Sequence, residues 1–411
     1  MTRNIFGIHT SNSDYPEDTI RDLIDVSAVV KVCVLFSDSN RLHEMRSWAR
    51  SGTVFLGRHI VLDIAGGELH NRINAVDDND WQGGYDVGVW YANALADQVI
   101  PNGLSWVIWE GCPNEWVSTG SKAAGEAMGV IEQALRRGIK VAVGGYSYGM
   151  PQIPPIDTVD AWTHWGPVFA AIDSANRDAS GKALADPRVY FYLHEGAKIY
   201  KPGYNYPDMK TSIPYTVRRY GAVYDRYVTP KGRWVPIILS EFAYGADYDN
   251  PTKPPTEEIM RQLVEINAIL ANDTYLVGYC WYDTRKTSDN TFDDYRYCTR
   301  DMVRTMRAQN YTHEGVTPPT GIVEVPPVTP PVPVPAPAPA GMVAVYTTST
   351  SGQNIRAHHS LIAPIVGSLE FGEVAYVSAA EIAAIGQAKT WIYIKAPHAE
   401  GWAAAWLLKV A

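Results

Sequence analysis

Apolar, strand-like runs alternate with helix-like segments about eight times over roughly the first 310 residues, and few folds accommodate that rhythm. The first run covers residues 4–10 and a nearly continuous apolar run follows at 28–36. Between them, Ile20, Leu23 and Ile24 recur at helical spacing within 16–25. Runs at 54–64, 104–109, 140–144, 189–194, 235–240 and 276–281 continue the series. Helical patterns at 41–51, 85–99, 121–137, 158–176, 214–227, 256–272 and 299–309 lie between and after them. Strands this apolar belong to a parallel sheet covered on both faces. The number and length of the units predict an α/β fold, a (β/α)8 TIM barrel, over residues 1–315. No Gly-rich dinucleotide fingerprint follows the first strand, which weighs against an open doubly wound sheet.

The composition then changes abruptly. Residues 316–340 are dominated by Pro, Val, Ala and Thr and end in alternating Pro and Ala, the signature of a semi-rigid polyproline linker. Residues 341–411 are strand-rich and punctuated by Gly, with an Ala- and Ile-rich insertion at 379–388 that reads as a short helix. Asn354-Ile355-Arg356, Gly367-Ser368-Leu369, Trp391-Ile392-Tyr393-Ile394 and Gly401-Trp402-Ala403 follow one another in this tail. In that order they resemble the bacterial SH3-like (SH3b) domain. The resemblance implies a small all-β, SH3-like barrel of five or six strands that docks its host protein on a cell wall or a protein partner.

Composition excludes several functions. The net charge is −9 with no long basic run, so nucleic acid is not the expected partner. No apolar run approaches the length of a membrane span. The four cysteines, Cys33, Cys112, Cys280 and Cys298, fit no zinc spacing, and neither metal nor organic cofactor is expected. Whether Cys280 and Cys298 pair is open. The first residues enter a strand without a basic segment and apolar stretch, so no secretory signal is legible; extracellular or cell-surface action would then follow trimming or release by lysis. The chain holds 13 Trp and 25 Tyr against 8 Phe, and rings with a polar edge suit sugars as well as cores.

Two acids stand where barrel strands end. Trp109-Glu110-Gly111-Cys112-Pro113-Asn114-Glu115-Trp116 breaks after the fourth strand, and Ile237-Ile238-Leu239-Ser240-Glu241 ends the seventh. Both positions fall on the C-terminal rim of a barrel, where active sites form. Cleavage of a glycosidic bond needs such a pair, one carboxyl to donate a proton and one to attack or to activate water. Asn-Glu after strand four with Glu after strand seven resembles the clan A glycoside hydrolases, (β/α)8 retaining enzymes. The resemblance implies that Glu115 is the acid/base, that Asn114 contacts the sugar 2-hydroxyl and that Glu241 is the nucleophile. By the same resemblance Trp281 closes strand eight, and His194 matches a His or Tyr near the nucleophile. The substrate implied is a β-linked polysaccharide or cell-wall glycan. One extra residue precedes Asn114 relative to the usual Trp-Glu-x-x-Asn-Glu-Pro, and Trp116 stands at the Pro position.

His9, after strand one, and Tyr146, after strand five, are further candidates to line a cleft. Trp162, His164 and Trp165 offer a sugar platform or, at helical spacing, packing. Glu110 is the rival to Glu115. A pairing of Glu110 or Glu195 with Glu241 at wider separation would make the enzyme inverting. The competing class is a non-catalytic carbohydrate-binding or adhesion protein on a degenerate barrel, a reading favoured by the altered Asn-Glu turn.

Overall fold

A computed structural model describes residues 2–11, 17–34, 36–59, 67–112, 120–146, 151, 160–197, 217–244, 255–282, 298–309, 311–312, 341–347, 353–359, 365–369, 374–385, 387, 390–396, 399–405 and 408–410. The chain forms two compact units, Met1–Val323 and Glu324–Ala411. The Pro-rich segment at 316–340 lies outside the described residues.

The first unit is a closed barrel of eight strands in sequence order. They are β1 (Phe6–Ser11), β2 (Val29–Val34), β3 (Val54–His59), β4 (Ile108–Glu110), β5 (Lys140–Tyr146), β6 (Val189–Ala197), β7 (Ile237–Tyr244) and β8 (Leu276–Trp281). Neighbours pair in parallel, and β8 closes on β1 with Ile8 opposite Trp281. The barrel is tight at Gly7, where a Cβ would stand 2.2 Å from the Val29 carbonyl oxygen on β2 and 2.9 Å from the Tyr279 carbonyl oxygen on β8. The barrel expected from the alternation is present, because β-branched runs flanked by amphipathic helices bury both faces of each strand.

The helices are α1 (Glu17–Val26), α2 (Ser39–Trp48), α3 (Glu68–Asn74), α4 (Trp81–Val99), α5 (Ser121–Arg137), α6 (Gly166–Ala175), α7 (Arg219–Val223), α8 (Thr256–Leu270) and α9 (Thr299–Ala308). α4 and α5, which flank β4, touch backbone to backbone. A Cβ at Gly84, Gly88, Gly125 or Gly129 would lie 2.1–2.2 Å from a carbonyl oxygen of the other helix. Gly138, at φ 73°, ends α5 in the left-handed conformation that suits a residue without Cβ.

Three elements depart from the sequence reading. The expected strand at 104–109 starts only at Ile108, because Leu104 spends its N–H on the Val99 carbonyl, closing α4, and Val107 donates to Leu104. The strand therefore reaches Glu110, which becomes a barrel residue. Within the helix expected at 158–176, residues Ala161–Trp165 form a 3-10 turn before α6. Its three-residue period brings Trp162 and Trp165 to one side, both buried against Phe191. The described part of the segment at 214–227 is α7 followed by a π-helical turn, Tyr224–Val228, with Tyr224 stacked on Tyr275 at 3.6 Å.

The second unit is a seven-stranded antiparallel sheet around its own small core, which includes Val345, Ile355, Val377, Ile392, Ile394 and Ala403. Its strands are β9 (Met342–Thr347), β10 (Gln353–Arg356), β11 (Ile365–Leu369), β12 (Val374–Ser378), β13 (Trp391–Lys395), β14 (Glu400–Ala404) and β15 (Leu408–Val410). Along β13, Ile392 and Ile394 point to the core while Trp391 and Tyr393 alternate outward. The insertion after β12 is a 3-10 helix, Ala379–Ala384, capped by the Ser378 hydroxyl. Seven strands exceed the five or six expected, since the closing segment adds β15 beside β9.

Candidate active site

The barrel interior holds charge. Lys31 stands in the middle of β2, between valines, and its side chain is fully buried. An unpaired ammonium there would be prohibitively costly. Lys31 meets a carboxylate from each of two other strands. Its Nζ lies 2.8 Å from Glu110 Oε1 on β4 and 2.9 Å from Glu241 Oε1 on β7. Two oxygens within hydrogen-bond reach of one nitrogen stand no more than about 6 Å apart. Arg58, on β3, brings Nη1 to 3.4 Å from the same Glu241 oxygen.

A β-bulge aims Glu241. Leu193 pairs with Leu239 but His194 pairs with Glu241, so Ser240 is the extra residue on β7. The insertion places Glu241 directly beside His194, with Oε2 at 3.5 Å from the imidazole Nδ1. Glu241 is 3% exposed and His194 fully buried.

The protonation states follow from these surroundings. Burial pulls His194 down to about 3, outweighing the upward pull of Glu241, so the imidazole is neutral near neutral pH. For Lys31, burial opposes the charge, but Glu110 and Glu241 overcome it and raise the ammonium above its ordinary range. Burial alone would raise Glu241. His194, Lys31, His9 and Arg58 outweigh it and hold the carboxylate well below its usual range. Near neutral pH, with His194 neutral, Lys31 and Arg58 are the cations in contact with Glu241; in the acid range the His194 imidazole gains its proton and adds to them.

The remaining sequence candidates take varied places. Asn114 and Glu115 lie outside the described residues. His9 sits on β1 itself, fully buried, with Nε2 3.2 Å from Cys33 Sγ and its ring stacked on Tyr282 at 4.9 Å. Tyr146 is fully buried in an aromatic cluster. Its hydroxyl accepts from the Trp165 indole at 3.0 Å, its ring meets Trp162 edge-on, and burial pushes its phenol up. Trp162 and Trp165 serve packing, while His164 is exposed. Trp281 ends β8, fully buried beside Phe242 and Tyr279. Glu195 pairs with Arg219 of α7 at 3.1 Å, both fully buried, and Arg219 also donates to the His194 carbonyl. All four cysteines are buried thiols, and none of them forms a disulfide.

Lys31, Arg58 and Tyr282 were not singled out from the sequence. A signal existed for the first two, since a cation inside an apolar strand must be paired. Tyr282 carried none, because its stacking on His9 depends on barrel closure. Among the described residues no group of His, Cys, Asp and Glu could hold a metal ion, and no helix is long and apolar enough to cross a membrane. A cavity of about 580 Å3 opens at the opposite, N-terminal face, lined by Arg46, Trp106, Lys140 and Asp186 among others. It is remote from the interior charges, and barrel enzymes work at the C-terminal face.

No protein-family model matches this chain, and no curated protein matches it. Solved structures similar to it include a glycoside hydrolase family 5 enzyme from Prevotella bryantii, at 12% identity over 74% of this chain and 99% of that one, TM-score 0.40. A broad-specificity endoglucanase from Clostridium longisporum is similar at 9% identity over 73% and 96%, TM-score 0.39. An endo-beta-N-acetylglucosaminidase from Cordyceps militaris is similar at 13% over 74% and 92%, TM-score 0.34. At these values the likenesses carry no weight on activity. The barrel itself rests on the strand pairing above.

Proposed function

We propose that the protein is a retaining glycoside hydrolase with Glu241 as nucleophile and Glu115 as acid/base. The observation that carries this reading is the environment of Glu241. It is an ionised carboxylate on the seventh barrel strand, fixed by Lys31 at 2.9 Å and Arg58 at 3.4 Å beside a neutral His194. A carboxylate nucleophile must be charged, immobile and stripped of water; the fixed cations supply the first two conditions and the burial of Glu241 the third. In the reaction Glu241 attacks the anomeric carbon while Glu115 protonates the leaving oxygen. Glu115 then takes a proton from the water that releases the sugar. Asn114 holds the 2-hydroxyl. A β-linked polysaccharide or cell-wall glycan is the substrate class.

Glu110 is unsuited to the acid role. Its side chain is closed to solvent and faces the Lys31 ammonium, so it is placed to hold Lys31 rather than to meet a sugar. Glu195 is equally removed, bound to Arg219. The inverting alternatives built on either residue therefore lose support. The near-complete burial of Glu241 favours a second reading, a non-catalytic glycan-binding barrel. The experiment that separates them compares wild type with Glu241→Ala on aryl β-glycosides and purified cell walls, with the product anomer followed by NMR. Retained β-configuration in wild type and loss of activity by about five orders of magnitude in the variant are expected. Equal activity of the two proteins would remove Glu241 from the mechanism.

The tail is proposed as an SH3-like module that retains the enzyme on a wall outside the cell or on a protein partner. Support comes from its motifs and from the outer-face aromatics Tyr393 and Trp402, whose rings meet edge-on at 5.8 Å. Deletion of residues 341–411 is expected to abolish sedimentation with purified walls while leaving hydrolysis of small aryl glycosides intact. Undiminished sedimentation would contradict the module's role.

A further inference from the structure

We propose that Lys31 and Glu110 act as a buried charge setter for Glu241, with Lys31 the positioning residue and Glu110 the group that divides its charge. The inference rests on the reading of Glu241 as nucleophile and adds how that site is regulated.

Three strands meet at one nitrogen. β2 contributes Lys31, β4 contributes Glu110 and β7 contributes Glu241, with contacts of 2.8 and 2.9 Å and both carboxylates almost wholly buried. In such a setting a charge-assisted contact is strong, because water does not screen it. An ammonium with one carboxylate partner would bind that partner so firmly that it would lose basicity and attacking power. A second carboxylate on the same nitrogen tempers the hold. Glu241 stays ionised but is not neutralised by a single cation.

The other groups facing Glu241 are Arg58 from β3, His194 from β6 and His9 from β1, with Cys280 of β8 near Lys31 and Arg219 behind His194. Lys31 and Arg58 are the cations in direct contact with Glu241, Glu110 shares Lys31, and His194 is neutral near neutral pH. Removal of either member of the Lys31–Glu110 pair leaves an imbalance of known sign. Without Lys31, Glu110 and Glu241 stand within about 6 Å of each other with the nearest cation gone, so Glu241 gains a proton at higher pH. Without the Glu110 charge, Lys31 belongs to Glu241 alone, and Glu241 holds its charge to lower pH.

The experiment titrates Glu241 in protein with 13C-labelled Glu carboxyls, its signal assigned by its loss in Glu241→Gln. In parallel, the acid limb of kcat/KM is measured on whichever glycan wild type cleaves. Lys31→Met is expected to move the titration and the acid limb up by about one to three pH units, and Glu110→Gln to move both down. Lys31→Arg keeps the charge and returns the limb toward wild type. A residue with a merely structural role lowers activity or melting temperature without moving the limb in opposite directions for the two changes. If Lys31→Met does not fold, the downward shift in Glu110→Gln still decides. Unmoved signals, or shifts of the same sign, overturn the proposal. Shifts as expected in a protein that cleaves no glycan overturn the glycosidase reading alone and leave the charge setter standing.

Discussion

At the residue scale, the site turns on which neighbour keeps Glu241 charged. His194 lies 3.5 Å away but is neutral, so its charge contributes nothing near neutral pH. Arg58, at 3.4 Å, is charged throughout. Arg58→Met should raise the acid limb of the activity profile by about one unit, and His194→Gln should raise it too, because the imidazole gains its proton in the acid range where Glu241 titrates. An unmoved limb in His194→Gln would show that the imidazole stays neutral where Glu241 titrates. The sequence reading of these positions was partial for a physical reason. Glu241 and His194 announce themselves as polar residues closing apolar strands. Lys31 and Arg58 sit within strands that read as covered, and only barrel closure shows them converging on one carboxylate.

At the element scale, β4 is short and is held by the two helices that flank it. α4 and α5 approach until glycines on each abut the carbonyls of the other, with Gly88 set against the Glu126 oxygen. That contact fixes both the approach to β4 and the start of the helix that follows residues 113–119. A side chain at this point must push the helices apart. Gly88→Val is expected to lower the unfolding free energy by about 1–3 kcal/mol, measured by urea denaturation, with a fall in activity from displaced Glu110. Unchanged stability would show that the helices can slide without cost. The sequence displayed both helices but not their intimacy, since Gly84, Gly88, Gly125 and Gly129 read singly as poor helix formers. The bulge at Ser240 was equally illegible, because an extra residue in one strand is defined only against its neighbour's register.

At the scale of the whole molecule, two buried groups oppose one another in pH. Burial outweighs Arg219 and raises Glu195 from 4.5 to about 7, so its contribution to stability is present below pH 4.5 and lost as pH rises through 7. Burial depresses His194 from 6.5 to about 3, so its contribution is present above pH 6.5 and lost as pH falls through 3. Between pH 4.5 and 6.5 the folded chain keeps one proton that the unfolded chain has released and lacks one that it has taken up. The two slopes cancel there. Below pH 4.5 His194 and Glu241, whose carboxylate is depressed, both favour unfolding as the pH falls. With those two slopes offset, the wild-type barrel unit should lose stability only gently as the pH falls from 6.5 to 4.5, through His59, whose imidazole burial also holds below its ordinary range. Glu195→Gln should remove the compensation and lose on the order of 1.4 kcal/mol per pH unit over that window, measured by denaturant titration at several pH values. A level profile in the variant would contradict the assigned protonation states.

The sequence by itself determined the rhythm of the barrel, the change of composition near residue 316, the strand-rich tail and the placement of Glu241 on the seventh strand. These are properties of local periodicity and of residues adjacent in the chain. Tertiary structure alone decided that Lys31, Glu110 and Glu241, as many as 210 positions apart, share one nitrogen, and that Glu110 belongs to the barrel interior. Closure of the sheet brings together side chains from strands that never neighbour one another in sequence. The cost of burying a lone charge then selects which of them must pair.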